Sequence, residues 1–236
     1  MKRIILVLIA IFTLSQVNAQ TEIFNNLLQK HVTKNGFVDY KSFKKEEAKL
    51  NEFISYLEKT SPENSWSKNK QKAFWINAYN AYTIKLILEN YPLKSIMNIK
   101  KSGKSAWKIS FAKVGEKTYT LDHIEHEILR KKLFDPRIHV GVNCASVSCP
   151  KLGNLAFTEE NVEVSLEKLM TAFINDSSRN KLSKKEVQIS SIFDWFKEDF
   201  TKNGSITDYL NKYSETEISP KAKISYLKYN WSLNGE

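Results

Sequence analysis

Cys144 and Cys149 frame the small-residue run Cys144-Ala145-Ser146-Val147-Ser148-Cys149. Small side chains leave a backbone open to an approaching substrate, which suits a nucleophile. A thiol becomes a nucleophile only as thiolate, and at neutral pH that needs a base or a positive neighbour. The same spacing also permits a disulfide closing a small loop, or inert or metal-binding thiols. Arg137 to Asn143 alternates as a strand would, with Ile138, Val140 and Val142 on one side and His139, Gly141 and Asn143 on the other. An extended strand running to Cys144 turns His139 away from it, and His126 becomes the better base.

His126 belongs to the helical run Leu121 to Lys132, which Thr120 can cap and Asp135-Pro136 follows. Leu121, Ile124, Ile128, Leu129 and Leu133 form its apolar arc. Glu125 falls inside that arc and His126 at its edge, while His123 and Glu127 face water. Asp122 lies one turn before His126, within reach of it on an α-helix. A carboxylate that fixes one imidazole nitrogen leaves the other free as a base or a ligand. In Phe74-Trp75-Ile76-Asn77-Ala78-Tyr79-Asn80, Asn77 and Asn80 share one helix face that points inward. A buried amide left without partners costs about 1–3 kcal/mol. These two therefore serve either a structural polar network or a site wall that donates to an oxyanion. Together the residues suggest acyl transfer: Cys144 as nucleophile, His126 as base, Asp122 or Glu125 as orienting carboxylate, and Asn77, Asn80 or Asn143 as oxyanion donors. His126 and His139 with a carboxylate and a thiolate are a weaker alternative, a zinc site without any standard zinc spacing. No cofactor is implied.

The elements that must hold these groups read mostly as helices. They cover Glu22 to His31, Lys41 to Lys59, about Ser67 to Tyr91, Leu121 to Lys132, Thr158 to about Asn175, Asp194 to Thr201 and Ile206 to Tyr213. A hairpin turns at Gly115-Glu116 within Ile109 to Thr120, and Val187 to Ser190 and Ala222 to Tyr229 read as strands. The expected fold is α+β: a mostly helical single domain with one small, largely antiparallel sheet.

The chain opens with Lys2 and Arg3, an apolar run from Ile4 to Leu14, and the small-residue pattern Val17-Asn18-Ala19. This is the three-part form of a secretory signal peptide over residues 1–19, and the apolar run is too short to span a bilayer comfortably. The expectation is an exported protein of the bacterial periplasm or extracellular space, without a stable membrane anchor. An N-terminal helical segment would occupy residues 20–69 and the core domain residues 70–236. The net charge of +10 comes from lysines interleaved with glutamates. That pattern, in an exported chain, points to no nucleic acid and at most weak attraction to anionic envelope polymers. By location alone, an amide or ester in an envelope peptide or glycan is the substrate class. A non-catalytic envelope binding or scaffold domain is the main rival reading, and a metal-dependent hydrolase another.

Phe74 to Thr83, Tyr119 to Arg130, Asp135 to Leu152, Ser190 to Phe200 and Trp231 to Asn234 together resemble the domain of unknown function 547 family, from Lys70 to the C-terminus. The resemblance implies a shared architecture and a motif-rich site, not an activity. In more distant members the position of Cys149 is often serine, whereas that of Cys144 tends to stay cysteine. Carried onto this chain, that favours a role for Cys144 beyond a local disulfide.

Overall fold

The computed structural model describes residues 19–236. The expected leader, apart from Ala19, lies outside the described residues. Among those described, no helix is long and apolar enough to cross a membrane.

Helix α1 covers residues 19–31, α2 Tyr40–Lys45 and α3 Glu47–Lys59. The single helix expected over Lys41 to Lys59 is thus two, broken at Glu46, whose backbone leaves the helical region (φ −111°, ψ 20°). Helix α4, Lys68–Asn90, is the axis of the fold. The Ser67 hydroxyl caps it by accepting from the Lys70 N–H at 3.1 Å. Its apolar residues run round the whole circumference, so it must be enclosed. Accordingly, Lys72 to Ile84 is buried without interruption, and α2, α3 and α6 (Val162–Ile174) pack on it. Leu27, Phe43 and Phe53 share one buried cluster with Ile76, Leu129 and Leu166. The boundary expected between residues 69 and 70 falls inside the first turn of α4.

The α+β expectation holds: the domain is mostly helical with small, largely antiparallel sheets. Among the described residues the strands form three such sheets and not one: β1 (Lys100–Lys101) with β2 (Lys104–Ser105), β3 (Ala112–Val114) with β4 (Lys117–Tyr119), and a three-stranded sheet. In the last, β5 (Lys181–Leu182) pairs antiparallel with β6 (Glu186–Ile189), which pairs parallel with β7 (Lys223–Tyr226). The β3–β4 hairpin turns at Gly115-Glu116 as the sequence indicated, with Ala112 opposite Tyr119.

Two segments beside the site depart from their expected form. His123–Lys132 is helical but wound as a π-helix, closed by a Leu133 N–H to Ile128 carbonyl bond of 3.0 Å, an i→i−5 step. Arg137 to Asn143 is not a strand. Ile138–Gly141 forms the one-turn helix α5. Asp135 starts it: its carboxylate accepts from the Arg137 N–H at 3.0 Å and from the guanidinium Nη2 at 2.7 Å. Lys72 donates to the same carboxylate at 3.0 Å. The Asx turn made by Asp135 and the fixed φ of Pro136 lead the chain into α5 and override the β propensity of Ile138, Val140 and Val142. Gly141 lets α5 approach α4 and α6, since a Cβ there would stand 2.9 Å from Leu166 Cδ2 and 3.2 Å from Ile76 Cδ1.

The remaining helices are short: α7 (Ile192–Trp195), α8 (Lys197–Thr201) and α9 (Ile206–Asn211), the last started by a Ser205–Asp208 capping box. The C-terminal strip then returns along the Cys144 loop. Val147 N–H donates to the Ser232 carbonyl at 2.9 Å and Asn234 N–H to the Ala145 carbonyl at 3.2 Å.

Candidate functional site

Cys144, His126, Glu125 and Asp122 line one cavity of about 220 Å³, together with Cys149, His139, Tyr79 and Tyr229. The imidazole of the π-helix and the sulfur beyond α5 therefore share a cleft. The rest of the wall is apolar, with Trp107, Trp195, Phe196 and Trp231 dominating it.

The loop that presents Cys144 is held from behind by the asparagines. Asn80 Nδ2 donates to the Gly141 carbonyl at 2.8 Å, and its Oδ1 accepts from the Asn143 N–H at 2.9 Å. Asn143 in turn accepts from the Ala145 N–H at 2.9 Å and donates to the Pro150 carbonyl at 2.8 Å. This Asx turn holds Ala145 in the left-handed region (φ 56°), a conformation a non-glycine residue adopts at some cost. Asn234 donates to the Asn143 side chain at 3.2 Å while accepting from the Tyr40 hydroxyl at 2.8 Å. Asn77 clasps both backbone groups of Phe157, at 2.7 and 2.9 Å. The oxyanion role expected for Asn77, Asn80 or Asn143 is therefore corrected. Their amides bond backbone outside the cavity wall, and the network brings Asn80 and Asn143, but not Asn77, to the Cys144 loop.

Both cysteines are free thiols. Cys144 Sγ stands 3.1 Å from Ser146 Oγ and 3.3 Å from the Tyr229 hydroxyl, and the Cys144 N–H donates to Cys149 Sγ at 3.2 Å. Hydrogen bonding from the Cys149 thiol, then from Ser146 and Tyr229, lowers the Cys144 pKa despite burial. Cys149 moves the opposite way, pushed up by burial and by the neighbouring Cys144. The acidity thus resides on the half-buried thiol rather than on its sealed neighbour. The donors are neutral hydroxyl, thiol and backbone groups, so no imidazole is required to form the thiolate.

His126 also departs from its expected part. Its Nδ1 lies 3.1 Å from Arg130 Nη1, and Asp122 does not hold it. A guanidinium only donates, so Nδ1 accepts and the ring proton sits on Nε2. With Nδ1 accepting, the ring presents Nε2–H as a donor at its other edge, which suits a developing oxyanion better than proton abstraction. The i, i+4 reach argued for Asp122 assumes an α-helical turn, and the π-helical winding changes that geometry. Arg130 is set by Asp199, through Nε–Oδ2 and Nη2–Oδ1 bonds of 2.6 and 3.1 Å. The same carboxylate accepts from His139 Nε2 at 2.8 Å. Burial raises the Asp199 pKa, but His139 and Arg130 outweigh it and hold it at about 2. Burial lowers the His139 pKa against the pull of Asp199, and the ring stacks on Phe196 at 4.1 Å.

Glu125 lies in the wall facing the Tyr79 hydroxyl. Burial raises its pKa, opposed by His126 and the Tyr79 bond and assisted by the Cys144 charge. A carboxyl whose pKa is raised, in the same cavity wall as an acidified thiol, forms with it an acid–base pair whose affinities the environment has pushed towards each other. Asp122 borders the same cavity. For a metal, the donor set is poor: among the described residues no three His, Cys, Asp or Glu side chains are placed to share an ion. His139 is spent on Asp199, and the Arg130 cation sits against His126.

Sequence reasoning gave no role to Tyr229, Ser146, Arg130, Asp199 and the three tryptophans. All of them except Tyr229 and Trp107 nevertheless lie in the segments that carry the family resemblance.

The family described as "Protein of unknown function, DUF547" matches residues 63–174. This range takes in α4, the π-helix, α5 and the Cys144 loop, and stops short of the segments at 190–200 and 231–234. No curated protein matches the chain, and no solved structure does.

Proposed function

We propose, from the premise that residues 63–174 of this chain form a DUF547 domain, that the protein is a thiol-dependent acyl-transfer enzyme, a hydrolase or acyltransferase with Cys144 as nucleophile. The observation that carries this reading is the acidified, half-buried Cys144 facing a carboxyl of raised pKa across one cavity. The Cys144 thiolate attacks the acyl carbon and a C–S bond forms. His126 Nε2–H donates to the oxygen that gains charge. As the bond to the leaving group breaks, Glu125 gives that group its proton. Glu125, now a carboxylate, takes a proton from the incoming water or acceptor, which attacks the thioester and releases Cys144.

Incubation with an activated acyl ester, acid quench and peptide mapping test the reading. The expected result is an acyl mass on Cys144 in the native chain. Acyl transfer that survives Cys144→Ala unchanged rules the reading out.

The asparagine clasps favour a second reading, a binding or scaffold domain in which the polar residues fix the fold. It predicts that Glu125→Gln and His126→Ala act on stability alone. Export rests on residues 1–19, and an envelope amide or ester as substrate rests on export. N-terminal sequencing of protein recovered from outside the cytoplasm, beginning at Gln20, is the expected outcome; an intact Met1 in a cytoplasmic fraction contradicts it.

A further inference from the structure

Three segments far apart in sequence deliver aromatic rings to the cavity wall beside Cys144: Trp107, Trp195, and the pair Tyr229 and Trp231. Their centroids lie close, 4.5 Å for Tyr229–Trp231, 4.8 Å for Trp195–Tyr229, 5.7 Å for Trp107–Trp231 and 5.8 Å for Trp195–Trp231. A flat group inserted between two facing rings needs roughly 7 Å, two contact distances of about 3.5 Å. No such slot exists between these rings. They form one continuous wall against which a ligand lies, and not a cage that encloses a cation. Trp195 and Trp231 are within 15° of parallel, which gives the wall a flat part. Trp195 is 48% exposed, an indole held in water at the cavity mouth.

The polar side chains beside the aromatic rings are engaged, and the groups still available at the wall, His126 Nε2, Glu125 and Asp122, all come from the one segment 122–126. Tyr229 is bound to Ser146 and Cys144, His139 to Asp199, and His126 Nδ1 to Arg130. Few groups are left to satisfy the hydroxyls of a sugar. The Asp122 carboxylate at the same wall repels an anion.

We infer that the wall of Trp107, Trp195, Tyr229 and Trp231 binds an uncharged, ring-bearing apolar acyl group and so sets the substrate class of the thiol site. The inference rests on the reading of Cys144 as nucleophile for its role in turnover, but not for binding. The flat aromatic surface supplies apolar contact and offset stacking, each ring pair adding about 0.5–1.5 kcal/mol beyond its buried area.

Binding is measured on the full chain carrying Cys144→Ala, by tryptophan fluorescence, with phenylacetamide, acetamide and N-acetylglucosamine. Phenylacetamide is expected to bind at least tenfold tighter than either of the others. Adding Trp231→Ala should remove that preference at unchanged melting temperature; Trp195→Ala, at the exposed mouth, serves should Trp231→Ala fail to fold. Equal binding of acetamide, or tighter binding of N-acetylglucosamine, overturns the inference. In a second arm the native chain meets the methyl thioesters of phenylacetic and acetic acid, and adducts on Cys144 are followed by intact mass. A phenylacetyl adduct forming at least tenfold faster supports the wall. Adducts forming at equal rates overturn the wall and leave the nucleophile standing. Selective phenylacetamide binding without any adduct leaves the wall standing and removes the nucleophile.

Discussion

The Tyr229 hydroxyl stands 3.3 Å from Cys144 Sγ across 85 residues of chain. The C-terminal strip that carries Tyr229 is laced to the Cys144 loop by Ser148 and Asn230, whose hydroxyl and N–H bond at 2.9 Å. The site is thus assembled from the middle of the chain and its tail, with the thiol following α5 and its hydroxyl donor near the C-terminus.

The first prediction concerns the thiol itself. Iodoacetamide should alkylate Cys144 with a pH midpoint below the ordinary thiol value of about 8.5. Cys149→Ala removes the largest acidifying contact and should move that midpoint up. Tyr229→Phe should move it the same way by less. Rates read by mass mapping at several pH values check this, and a midpoint unmoved by Cys149→Ala contradicts the assignment.

A carboxyl that carries the proton from attacking water to leaving group, and takes no part in forming the thiolate, separates nucleophile formation from turnover. Glu125→Gln keeps the shape of the buried group but cannot supply a proton. Turnover of an amide or alkyl ester should fall by about 10²–10⁴, while the iodoacetamide rate at Cys144 stays near native. A matched fall in both rates would show instead that Glu125 acts through the thiol or the fold.

Asn80 is a positioning residue. Its two backbone bonds hold α5 and the start of the Cys144 loop, and it is buried. Asn80→Ala leaves one buried carbonyl and one buried N–H without partners, a loss of about 3 kcal/mol. Denaturant unfolding measures it. Asn77→Ala, which frees the two backbone groups of Phe157, should cost a similar amount while leaving the Cys144 alkylation midpoint where it was.

The Asp199 cluster makes stability depend on pH with a definite sign. Burial holds the folded-state pKa of His139 below the unfolded value of about 6.5. The unfolded chain therefore binds the proton first, and stability falls as pH drops through about 6.5. His31, lowered by burial, adds to the same slope. Asp199 acts further down: its stabilisation is complete above the unfolded carboxylate value of about 3.9 and is lost as pH falls towards 2. Asp199→Asn should lower stability by about 2 kcal/mol at pH 7 and flatten the curve below pH 4. An unchanged acid limb would contradict the pairing with Arg130 and His139.

How much of this was legible in the residues depends on whether a signal was local. Ser67 as cap and the apolar circumference of α4 announce that helix, and Gly115-Glu116 announces the hairpin. Asp135-Pro136 was read as the end of one helix, although the same two residues begin the next. The alternation of Ile138, Val140 and Val142 hid α5, because the Asx turn at Asp135 and packing through Gly141 outweigh β propensity there. The π-helical winding of His123–Lys132 leaves no mark in apolar spacing, so the Asp122–His126 pair was argued on the wrong turn. Cys144, His126, Glu125 and Asp122 were recognisable as reactive types and do meet in one cavity. Tyr229, Asp199 and Trp195 come to it only through tertiary packing, which no spacing encodes.

The most direct test is the mass of the native chain, quenched in acid seconds after mixing with the methyl thioester of phenylacetic acid. The account predicts a single phenylacetyl adduct that maps to Cys144, disappears in Cys144→Ala and persists in Cys149→Ala. A chain that stays unmodified, or an adduct mapped to any other residue, would contradict it.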